Sequence, residues 1–77
     1  MGKAEKYQQK LQAVRTIMEF MGDLAPRYRA VTMDYLWHAL SEMIQRYGEV
    51  FVADCIRQSR AEAELALFRY GTKGAQI

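Results

Sequence analysis

A single cysteine and a single proline in 77 residues restrict this chain before any pattern is read. One thiol, Cys55, excludes an internal disulfide and suits a reducing compartment, so a cytoplasmic location is expected. One proline, Pro26, leaves nearly the whole chain free to be helical. No apolar run approaches the roughly 20 residues that cross a bilayer, and the first residues lack the apolar core of a signal peptide. Charge is scarce in net terms: 11 basic and 9 acidic residues give +2, too little to imply nucleic acid by itself. There is no Gly-rich phosphate loop and no Ser-containing catalytic elbow. No cofactor and no metal are expected, and an enzyme is not expected.

Apolar residues are what the chain has in quantity, at 51%, which speaks against disorder. Their spacing is helical, and alternation long enough for a strand is missing. Tyr7, Leu11, Val14, Met18 and Met21 recur at steps of four and three, which places them on one narrow stripe of a helix over about 4–21. Ala13, Ile17 and Phe20 lie beside that stripe. Gly22 stands where a left-handed C-cap would be wanted. A second helix is expected over about 33–47, with Thr32 as N-cap and Met33, Leu36, Trp37, Leu40, Ile44 and Tyr47 on its apolar face. A third is expected over about 49–70, on a stripe through Val52, Cys55, Ile56, Ser59, Ala63, Ala66, Leu67 and Tyr70. Residues 71–77 read as a flexible tail. The expected fold is therefore all-α, one helical domain over 1–77. It is a small three-helix bundle or a helical hairpin plus arm, assembled as a homodimer.

The last turns of the third segment carry more apolar surface than one face can hide. Leu65 and Phe68 project away from the main stripe, roughly on the side of Val50, with Phe51 nearby in angle. An apolar second face implies a second interface. Arg27, Tyr28 and Arg29 form a compact cluster in the connector, and Arg and Tyr are favoured at protein contacts. Phe51, Leu65 and Phe68 with Arg27, Tyr28 and Arg29 are the candidate partner-binding set, and Phe20 and Tyr35, off their stripes, are candidates for a secondary interface. Asp34, His38 and Glu42 share one side of the second helix, which reads as a solvated polar face. Cys55 reads as a structural thiol.

The function expected from these residues is protein interaction. The chain would act as an inhibitor, adaptor or regulator of a larger protein or complex, in the manner of a compact bacterial or phage accessory protein. Its partner would be another protein, itself, or both. The alternative is a dimeric nucleic-acid-binding regulator that uses Arg27, Tyr28 and Arg29 together with Lys3, Lys6 and Lys10 on the first helix.

Overall fold

The computed structural model describes residues 2–75. Four α-helices follow one another: α1 (Gly2–Leu24), α2 (Ala30–Tyr47), α3 (Glu49–Gln58) and α4 (Arg60–Ala75). A short 3₁₀ turn, Ala25–Arg27, joins α1 to α2. No strand occurs among the described residues. No helix there is long and apolar enough to cross a membrane.

Pro26 sets the first boundary. It is the second residue of the 3₁₀ turn, within the first turn, where its missing N–H and fixed φ cost least. Gly22 does not end α1 as the sequence suggested. The helix runs two residues further because Leu24 is buried and Asp23 pairs with Arg60 of α4. Gly48 makes the second boundary. Its φ of +88° and ψ of 158° lie in a region essentially reserved for glycine, and its N–H closes α2 on the Ile44 carbonyl at 2.8 Å. The expected Thr32 cap is not used. α2 begins earlier, at Ala30, with the extended Arg29 before it, because Tyr28 and Arg29 already leave the 3₁₀ turn in extended geometry.

The third expected helix is two helices. Ser59 takes an extended conformation, φ −164° and ψ 114°, and the chain bends there. The Ser59 hydroxyl accepts the Glu62 N–H at 3.2 Å, so the serine caps α4, while its own N–H finishes α3 on the Cys55 carbonyl at 3.1 Å. A bend lets α3 pack mainly on α1 while α4 packs mainly on α2, which one straight rod could not do. The sequence Ser59-Arg60-Ala61-Glu62 has the spacing of a capping box and signals this start. The expected tail from Gly71 is also helical, through Ala75; residues 76 and 77 lie outside the described residues.

The core joins Ile17, Phe20, Met21 and Leu24 of α1 to Leu36 and Leu40 of α2, Val52 and Ile56 of α3, and Leu67 of α4. Small, fully buried Ala13 and Ala53 lie on the α1 and α3 faces, where they permit close approach of the backbones. Of the α1 stripe expected to be buried, Met21 alone is in the core, and the rest is turned outward. Tyr7, Leu11, Val14 and Met18 are 63%, 46%, 40% and 54% exposed. The reason is length. α3 has 10 residues, about 15 Å, so it covers α1 only from about Ala13 onward. Within that stretch the face through Ala13, Ile17, Phe20 and Leu24 follows the same helical spacing and meets α3 instead. Residues 2–12 are all exposed and project beyond the body.

Candidate functional site

A cleft of about 380 Å³ opens at the elbow between α3 and α4. Its floor is core: Phe20, Leu40, Val52, Ile56 and Leu67. Its mouth is formed by the half-buried Met43, Cys55, Ser59 and Ala66 and by the exposed Gln58 and Glu62. The bend at Ser59 creates this opening, because it splays the two helices on either side of Cys55 and Ala63. Small side chains at Ser59, Ala63 and Ala66 leave the space unfilled. A concave apolar site with a few polar groups at its rim suits an apolar side chain or small apolar ligand.

Two ion pairs brace the elbow from the other side. Arg60 bonds Asp23, and Arg27 Nη2 donates to both Glu64 carboxylate oxygens, at 2.7 and 2.9 Å. The hydrogen bond and charge of Glu64 hold the Arg27 guanidinium above its ordinary pKa. Arg57 reaches across to the Thr16 hydroxyl at 3.3 Å and to Asp54 at 2.9 Å.

The structure disperses the expected contact set. Arg27 is spent on Glu64, and its guanidinium lies 5.5 Å from the Tyr28 ring centre. Tyr28 packs edge-on against Phe68 at 5.5 Å. Phe68 is half-buried between Tyr28 and Tyr35, so it closes α4 onto the connector and α2 and offers little to a partner. Of the expected cluster Arg29 alone stays exposed and outside these contacts. Phe51 and Leu65 are 52% and 50% exposed. Phe51 stacks on Tyr47 at 5.1 Å beside the Gly48 corner, and neither Phe51 nor Leu65 lines the cleft.

Both residues assigned to a secondary interface belong elsewhere. Phe20 is 2% exposed and fills the middle of the core, because the inward face of α1 is the one it occupies. Tyr35 is half-buried, and its hydroxyl donates to the Phe68 carbonyl at 3.2 Å. Trp37 and Tyr47, expected on a buried face, are partly exposed. His38 stands 3.8 Å from Asp34 on an open face of α2. Among the described residues no group of three or more His, Cys, Asp or Glu side chains could hold a metal ion. Lys3, Lys6 and Lys10 are exposed on the projecting part of α1, far along the chain from Arg27 and Arg29.

The cleft was not foreseen from the sequence, although its signal was present. The run of small residues Ser59, Ala63 and Ala66 and the capping spacing at Ser59 together mark a break with space beside it. No protein-family model, curated protein or solved structure matches the chain.

Proposed function

We propose that this chain is a small helical protein-interaction module that inhibits, adapts or regulates a larger protein by receiving an apolar side chain of that protein in the α3–α4 cleft. The observation that carries this reading is the cleft itself, apolar in its floor and open to solvent at a polar rim. Interface energy concentrates where an aromatic or aliphatic anchor enters such a hollow. Glu62, the only charged residue of the lining, favours an anchor with a basic neighbour. Binding, not catalysis, is the role. The half-buried free thiol of Cys55 suits a reducing cytoplasm.

Capture from a native lysate tests it, with Ala66→Glu as the comparison. The charged side chain at the mouth should remove the captured protein, while Leu65→Glu, outside the cleft, should leave it. The Cys55 thiol supplies a second reading: maleimide labelling should slow when the purified partner is added. Equal capture by wild type and Ala66→Glu, with unchanged labelling, would end the proposal.

A nucleic-acid role has one observation in its favour, the three lysines of the projecting α1 arm. Against it, Arg27 is held by Glu64. That role requires binding that falls steeply with salt and depends on Lys6 and Lys10. Absence of binding to duplex DNA and to single-stranded RNA at low salt excludes it.

A further inference from the structure

The chain turns from α3 into α4 through Ser59 alone, and the backbone bonds around that residue are nearly those of a continuous helix. The Ser59 N–H donates to the Cys55 carbonyl at 3.1 Å, and the Ala63 N–H donates to the Ser59 carbonyl at 3.0 Å. Both join residues four apart, as in an α-helix. Three rungs are missing between them: no bond joins the amides of Arg60, Ala61 and Glu62 to the carbonyls of Ile56, Arg57 and Gln58. One of those amides, that of Glu62, has the Ser59 hydroxyl instead, at 3.2 Å. Straightening the bend therefore exchanges one side-chain bond for three backbone bonds. The residues suit a straight helix. Neither glycine nor proline occurs between Glu49 and Tyr70, and the Gln, Arg, Ala and Glu around Ser59 are good helix formers. Packing is what keeps the elbow bent, because α4 must turn back to reach α2 of its own chain.

We infer that a second copy of this chain removes that requirement: α3 and α4 straighten into one helix, and the two copies exchange α4. The straight helix carries the 16 residues of α4 about 24 Å beyond the end of α3, out of reach of its own α2. The second copy's α2 offers the same seat. Contacts that tie α4 to the rest of the body then re-form between copies. Arg60 meets the second copy's Asp23, Glu64 the second copy's Arg27, and the Phe68 carbonyl the second copy's Tyr35, as they meet within one chain. No new complementary surface is needed, because the interface is the one the fold already contains. A connector of one residue favours the exchange, since it has no slack in which to relax. Association costs freedom of motion. The bent monomer therefore holds at micromolar concentration, and the exchanged dimer forms when concentrated chains fold together.

The exchange does not rest on what the cleft receives, and it is read by mass and cross-linking, not by capture. Arg60→Pro separates the bent chain from the straight one. Residue 60 opens α4, the first helical position, where proline is accepted, and the extended Ser59 before it suits a following proline. In a continuous helix the same ring would remove the bond to Ile56 and press on that carbonyl. Arg60→Ala is the matched control. It also loses the pair with Asp23 but leaves the helix free to straighten.

Wild type and Arg60→Ala, unfolded in urea and refolded at sub-millimolar concentration, should each give the dimer mass in sedimentation velocity. Arg60→Pro should stay a folded monomer by sedimentation and circular dichroism. Its association constant should fall at least about 100-fold, because both straightened helices of the dimer would carry the ring. The exchange itself is read from mixed chains in a Cys55→Ser background. Asp23→Cys and Arg60→Cys chains, refolded together and bridged with a short bismaleimide, should yield a peptide that joins residue 23 to residue 60. In a mixture of the two variants that bridge arises only between copies. A wild type that stays monomeric overturns the exchange and leaves cleft capture standing. A folded Arg60→Pro that dimerises as wild type does, or a dimer without the 23–60 bridge, overturns it as well. If Arg60→Pro fails to fold, the bridge decides alone: its presence supports the exchange and its absence ends it. Cleft capture that survives Ala66→Glu would leave the exchange untouched.

Discussion

The ring of Tyr35 on α2 occupies the space in which a side chain at Gly71 on α4 would begin. A Cβ at position 71 would fall well inside van der Waals contact with the far edge of that ring. The Tyr35 hydroxyl also donates to the Phe68 carbonyl, one turn earlier on α4. Glycine at 71 is thus a packing requirement and not a helix terminator, since α4 continues past it. Gly71→Ala should gain about 0.5–1 kcal/mol in helix preference and lose about 1–3 kcal/mol to overpacking. The expected net loss is about 1–2 kcal/mol, a fall in Tm of roughly 5–12 °C. Thermal unfolding checks the loss. A double-mutant cycle with Tyr35→Leu, which shortens the ring, should recover most of it; no recovery would mean that the strain lies elsewhere.

Ser59 separates two helices that the apolar pattern would otherwise join. Its hydroxyl caps the Glu62 N–H, but its own N–H goes to Cys55, so Glu62 does not complete a reciprocal box. Ser59→Ala should therefore cost about 1 kcal/mol in denaturant unfolding. Ser59→Gly should cost only a few tenths, because glycine exposes the amide to water. Equal losses for the two variants would show that the hydroxyl is not the cap. The elbow should persist in both, since Arg60–Asp23 and Arg27–Glu64 still hold the first turns of α4. The cleft depends on that elbow, so Cys55 labelling in Ser59→Ala should change little.

The helical character of the chain and the two positions at which α2 ends and α3 begins are legible in the sequence, because Gly48 punctuates a strong period. The inward face of α1 is not. Residues 13–24 carry two overlapping apolar arcs, one through Val14 and Met18 and one through Ile17 and Phe20, and periodicity alone ranks neither. What decides is the tertiary neighbour: α3 is short and small-faced at Ala53, and it meets the arc that contains Ala13. The misplacement of Phe20 and Tyr35 follows from that ambiguity and from Phe68, which draws Tyr28 and Tyr35 around itself. The break at Ser59 was readable from its capping spacing, yet a continuous stripe from Val52 to Tyr70 masks it. Only the fold shows that the stripe serves different neighbours before and after the bend.

Gly22 offers a test of where α1 ends. A left-handed C-cap would require positive φ, and among the described residues only Gly48 has it. Gly22 sits within α1 with nothing near its missing Cβ. Gly22→Ala should therefore raise stability by about 0.5–1 kcal/mol, mainly by narrowing the unfolded ensemble. Gly48→Ala should lower it by about 1–3 kcal/mol. Opposite signs in parallel denaturant titrations are expected; destabilisation by both would restore the cap at Gly22.

Phe68 and Leu65 were grouped by the sequence as partner contacts, and the structure divides them. Phe68 holds Tyr28 and Tyr35 together at the junction of connector, α2 and α4. Truncating a fully buried phenylalanine costs about 3–5 kcal/mol, and this half-buried ring should cost about 2–3 kcal/mol as Phe68→Ala. Leu65 is half exposed and outside that cluster, so Leu65→Ala should stay within about 0.5 kcal/mol of wild type. Urea unfolding of the two variants compares them directly. A charged residue at 68 is for the same reason a poor control for binding, since it would remove the partner by unfolding α4's packing. A Phe68→Ala variant as stable as wild type would return that ring to the surface and to a partner's reach.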